Sequence, residues 1–110
     1  MASKNTKKKS ESNGNNLLPY VIVRTFSAGC FAGRLESRVG KEVVLRQARR
    51  LWYWNGAASL SQLAAEGTSS PNDCKFPPPV EHIVLTEAIE IIGVSERGMI
   101  SIEGVAPWRA

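Results

Sequence analysis

The chain has one histidine, two cysteines and no apolar run approaching the ~18 residues of a membrane span. Each shortage removes a class of chemistry. His82 is flanked by Glu81 and an apolar stretch, the setting of a strand-edge residue rather than a general base. Cys30 and Cys74 stand far apart, with no CxxC or Cys/His ligand spacing, so neither a structural metal nor a dithiol motif is indicated. Both thiols are expected reduced and packed, as in a cytosolic chain. No glycine-rich phosphate loop precedes a helix. Glu87 and Glu90 are three apart, which puts them on opposite faces of a strand. No catalytic residue, metal or cofactor is therefore expected, and the chain reads as a binding protein rather than an enzyme.

The 110 residues suffice for one hydrophobic core. Residues 1–16 are Lys-, Ser- and Asn-rich, with no apolar residue after Ala2. They are expected to form a disordered basic tail ahead of a single compact β-rich domain over 17–110. The tail lacks the apolar core of a secretory signal, so a cytoplasmic location is expected, with no membrane association. Its Lys7–Lys9 run suits only weak contact with nucleic acid.

The formal charge of +4 is unevenly distributed. Residues 24–50 hold seven basic and two acidic side chains, whereas residues 51–110 hold three basic and seven acidic ones. Such polarity fits pairing within the fold, the cheaper explanation, or a basic face meeting the acidic face of another copy; a homo-oligomer is expected.

Tyr20 to Thr25 is β-branched and aromatic and reads as a strand. Ser27-Ala28-Gly29 turns it into a second arm from Cys30, with Gly33 marking a bulge or a close backbone contact. A third strand spans Lys41 to Leu45, and a fourth follows at 49–54. Residues 59–67 are a short helix, with Ser59 and Gln62 as a capping box and Gly67 as its end. Residues 83–92 form one long or broken strand, and 95–105 fit either a helix or a strand. The expected fold is mostly β (α+β): a small curled antiparallel sheet or partial barrel of about five or six strands, with one short packed helix.

The scarce aromatics are concentrated in Arg49-Arg50-Leu51-Trp52-Tyr53-Trp54-Asn55-Gly56. As a strand, this segment puts Arg50, Trp52 and Trp54 on one face and Arg49, Leu51 and Tyr53 on the other. Either the tryptophans are core, each ring burying ~150–250 Å², or an arginine beside aromatic surface stacks a planar anion. The candidate ligand-binding residues are Arg49, Arg50, Trp52, Tyr53, Trp54, Asn55, Ser59, Ser61 and Gln62, the last three at a helix start. Arg24, Arg34, Arg38 and Arg46 extend the basic surface in this reading.

Five stretches carry a resemblance: YVIVRT from Tyr20, SAGCFAG from Ser27, GKEVVL from Gly40, RRLWYWNGAASLSQLA from Arg49 and IVLTE from Ile83. Through them the chain, from Tyr20 to Trp108, resembles a family of short uncharacterised proteins found mainly in bacteriophage genomes. No functional residue carries over. The resemblance implies a phage accessory protein in the bacterial host cytoplasm, acting by occupying a host defence protein or sequestering a nucleotide-type ligand. Alternatives are a single-stranded nucleic-acid-binding small barrel and a virion or assembly component.

Overall fold

The computed structural model describes residues 17–110; the basic tail lies outside the described residues. The element order is β1 (Tyr20–Thr25), β2 (Cys30–Val39), β3 (Glu42–Arg50), α1 (Leu60–Glu66), β4 (Val80–Leu85), β5 (Ala88–Gly93) and α2 (Glu96–Gly104). The strands form a five-stranded sheet in the order β4-β3-β2-β1-β5, antiparallel throughout. The fold is mostly β, α+β, with an unclosed sheet.

Residues 83–92 are not one strand. β4 and β5 lie at opposite edges of the sheet although only Thr86 and Glu87 separate them. Four inter-strand spacings in a flat sheet amount to roughly 19 Å, whereas the three virtual bonds from Leu85 to Ala88 reach at most roughly 11 Å. The sheet must therefore roll until its two edges meet at that corner. Phe26 N–H donates to Glu87 O (2.9 Å) and Ala88 N–H to Lys41 O (3.0 Å), which fastens the corner to the neighbouring turns.

Rolling gives the sheet two apolar faces. Val21, Val23, Phe31, Val43, Leu45, Ala48 and Leu85 pack inside the roll. On the other face Tyr20, Ile22 and Ala32 pack with Leu63 and Ala64 of α1, Ile102 of α2 and Phe76 from the connecting loop. β1 serves both clusters, which is why its sequence is a continuous apolar run rather than an alternation. Phe31 and Phe76 are fully buried, each contributing about 1.5–3 kcal/mol relative to exposure.

β3 is longer than the sequence suggests. Arg46-Gln47-Ala48 does not end it; the register shifts opposite Ala32 to Arg34, and Gln47 takes φ 51°. This bulge brings the two backbones together at Gly33, where a Cβ would stand 3.0 Å from both Ala48 Cα and Arg46 O.

α1 starts as expected: Ser59 Oγ accepts from Gln62 N–H (3.2 Å), and Gln62 Oε1 accepts from Ala58 N–H (2.7 Å). Residues 95–105 resolve as a second helix rather than a strand, capped by Ser95, whose Oγ accepts from Gly98 N–H (2.9 Å). The same hydroxyl donates to Ala65 O (2.7 Å), and Ser95 N–H donates to Ala64 O (3.0 Å). One serine thus ends α1 and begins α2.

Gly98 is where the helices touch, since a Cβ there would run into the Ala64 carbonyl oxygen. An ordinary mid-helix Gly→Ala change gains about 1 kcal/mol. Gly98→Ala should instead lose about 1–3 kcal/mol, read as a lower urea midpoint at unchanged m.

Candidate functional site

The Arg49–Asn55 segment does not form a fourth strand. Leu51 N–H donates to Cys30 O (2.9 Å) as the last bond of the β2–β3 ladder. Tyr53 then bridges Lys75, exchanging bonds of 3.3 and 2.7 Å. The chain leaves the sheet in mid-motif, so the period-2 alternation fails after Leu51. Trp52 is 63 % exposed and Tyr53 48 %, while Trp54 is half-buried against the helix-side core. The two tryptophans therefore part ways, one to the surface and one to the core.

Around that bridge the chain builds an aromatic surface. Lys75 Nζ stands 5.8 Å from the Tyr53 ring centroid and 5.6 Å from that of Trp108, which is 41 % exposed. Trp108 is held by its N–H donating to Phe76 O (2.9 Å). A cation against two rings is a stacking surface carrying a charge, and the exposed Trp52 precedes Tyr53 in the chain.

The arginines take opposite sides, as expected of adjacent strand residues. Arg50 lies over the Phe31 ring (4.4 Å) and donates to Ala28 O (2.8 Å) at the surface. Arg49 is 4 % exposed and donates to three backbone carbonyls: Pro77 (3.0 Å), Ile102 (2.8 Å) and Phe76 (3.1 Å). It thereby ties the end of β3 to the proline loop and to the last turn of α2, where a cation meets the negative end of the helix. No carboxylate of the described residues lies within 4.0 Å of it. Burial pushes its pKa down from the usual arginine value.

Arg49 also lines an open cleft of about 570 Å³ with Tyr20, Gln47, Pro79, Val80, Glu81, Glu103, Val105 and Pro107. The Tyr20 ring lies under the guanidinium of Arg34 (5.3 Å), which itself donates to Leu18 O (3.0 Å). Burial, and then the Glu103 carboxylate, push the Tyr20 hydroxyl well above the ordinary phenol range. It stays protonated and is a hydrogen-bond donor.

The remaining candidates do not converge. Asn55 Oδ1 accepts from Gly56 N–H (2.8 Å), Asn55 O accepts from the Thr68 hydroxyl, and Ser59 and Gln62 cap α1. Ser61 is exposed on α1. Nor is there a continuous basic surface from the other arginines: Arg24 pairs with Glu90 (2.9 Å), Arg46 with Glu36, and Arg38 donates to Gly40 O (3.0 Å). Lys75 and Trp108, and the cleft residues Tyr20, Gln47, Glu81 and Glu103, were not singled out from the sequence as ligand contacts. The one available signal was Lys75, one of only three basic residues in an acidic half.

Cys30 and Cys74 are free, and burial pushes the Cys30 thiol up. Among the described residues no group of three or more His, Cys, Asp or Glu could hold a metal ion, and no helix is long and apolar enough to cross a membrane.

Replacing Arg49 by Met leaves Pro77 O without its donor and removes the cation from the helix end, for a loss of about 2–4 kcal/mol in urea unfolding. Tyr20 yields a second expectation. Its folded pKa is raised above the unfolded 10.0, so its contribution is complete below pH 10 and falls as pH rises beyond that. The decline is up to about 1.4 kcal/mol per pH unit. Tyr20→Phe should flatten this alkaline limb in unfolding measurements taken across it.

No curated protein and no solved structure matches the chain. Residues 18–102 match the family model of the domain of unknown function DUF6948, and the chain belongs to that family.

Proposed function

We propose that this chain is a non-catalytic binding module that captures a nucleotide-type ligand on the surface formed by Trp52, Tyr53, Lys75 and Trp108. The observation that carries the reading is the exposure of three large aromatic side chains with a lysine ammonium against two of the rings. Exposed aromatic rings gathered around a cation mark an interaction surface rather than scattered surface residues. A base supplies a flat partner for the rings, and its phosphate supplies the countercharge for Lys75. Relative to the residues expected from the sequence, the surface keeps Trp52 and Tyr53 and adds Lys75 and Trp108. Asn55, Ser59 and Gln62 do structural work, and Arg49 lies apart from this surface, at the base of the cleft.

The biological setting follows from the resemblance of the Arg49–Ala64 motif to phage-encoded proteins. In that setting the module is a phage accessory protein of the bacterial cytoplasm that withholds its ligand from a host process. Self-association is part of the same proposal, on the ground of the opposite net charges of residues 24–50 and 51–110.

Tryptophan fluorescence titrated with AMP, with adenosine and with an oligothymidylate tests this. Saturable quenching by AMP, weaker with adenosine, is expected. Trp52→Ala should weaken it roughly 5- to 150-fold, the equivalent of about 1–3 kcal/mol for one stacked base. Tight binding of the oligothymidylate alone, with a steep salt slope, would favour the single-stranded nucleic-acid reading. No quenching by any of the three would leave the surface to a protein partner. Native mass spectrometry of the same samples reads the oligomeric state.

A further inference from the structure

The cleft beside Arg49 is separate chemistry from the aromatic surface. Its floor is Tyr20, Arg49 and Val105, all buried; its rim is Gln47, Pro79, Val80, Glu81, Glu103 and Pro107, all exposed. The two charge signs are therefore sorted by depth, with the guanidinium at the bottom and the carboxylates at the mouth. Three of the five guanidinium N–H groups are used on backbone carbonyls, so two have no acceptor among the described residues. A buried cation with neither a counter-ion nor a full set of acceptors favours an anionic group beside it. The Tyr20 hydroxyl lines the same floor and adds a donor with no acceptor among the described residues. A simple anion would still have to pass Glu81 and Glu103, and a simple cation would meet Arg49.

We propose that this cleft binds a small zwitterion, a free amino acid or short unprotected peptide, with its carboxylate at Arg49 and Tyr20 and its ammonium at Glu81 and Glu103. The volume of about 570 Å³ falls in the range of small-molecule sites. Pro79 and Pro107 stiffen its walls. Gln47 provides the second structural argument. It holds φ 51°, a conformation disfavoured for a residue with a Cβ, at a bulge where glycine would fit without strain. Its side chain is at the rim, where an amide can serve either end of a zwitterion. Strain retained in a cleft wall is the pattern of a site that needs the side chain there.

The test uses the full chain with free leucine, free lysine and the unprotected dipeptide glycylleucine, each beside its N-acetylated and its C-amidated form. Binding is read by thermal shift and by two-dimensional amide NMR. The zwitterions should raise Tm and move the resonances of residues 20, 47, 81 and 103. Blocking either terminus should weaken binding at least tenfold. Glu103→Gln should cut affinity several-fold. Gln47→Gly should raise the Tm of the free protein yet weaken the ligand, an opposite pair of effects that a purely structural Gln47 would not give. Equal binding of the acetylated form, equal binding of the amidated form, or no binding by any zwitterion would each overturn the proposal.

Discussion

A two-residue link between opposite edges of one sheet shapes this molecule more than any single contact. Thr86 and Glu87 cannot span a flat five-stranded sheet, so β4 and β5 can pair with their neighbours only if the sheet rolls. The roll creates an enclosed apolar face within and leaves the opposite face of β1 and β2 to be covered by α1, α2 and Phe76. The last turn of α2 and the proline loop are thereby brought to the end of β3, where Arg49 bonds to both. The cleft exists because those three segments converge there.

Features that depend on neighbouring residues were legible in the sequence; features that depend on distant pairing were not. The β1–β2 hairpin was written in its β-branched run and glycine turn, and α1 in the spacing of Ser59, Gln62 and Gly67. The mostly-β, curled architecture followed from the strand rhythm. The bulge was announced at Gly33, where the register shifts and the backbones close in, but its effect on the facing strand at Gln47 was not. Polar Arg46-Gln47 therefore looked like a break in β3. The apolar runs on either side of Thr86 read as one long or broken strand because hydrophobicity alone does not state which edge a strand joins. At 51–54 the alternating pattern was real in the letters, but Tyr53 found its partner in Lys75, twenty-two residues on.

The arginine pair shows how far adjacent residues can diverge in role. From sequence, Arg49 and Arg50 both belonged to an anion surface. The strand turns one outward over Phe31 and the other inward among carbonyl oxygens. The inward arginine is the more consequential, since it fastens three segments and still faces the cleft. The outward aromatics gather instead around a lysine that the sequence leaves inconspicuous. The chain thus presents two chemically distinct surfaces, one flat and aromatic, the other concave with its charges sorted by depth.

The position of β1 also bears on how the chain is made. It is buried on both faces and hydrogen-bonded on both sides, yet its second partner, β5, emerges more than sixty residues after it. During synthesis the β1–β3 meander can assemble while one edge of β1 still shows its amide and carbonyl groups and its apolar side chains. That open edge is the most adhesive surface the nascent protein has, and it persists until residues 88–93 leave the ribosome and close it. A chain interrupted before that point would carry a finished hairpin and a bare edge strand, a template for joining other copies rather than a shorter working version of itself.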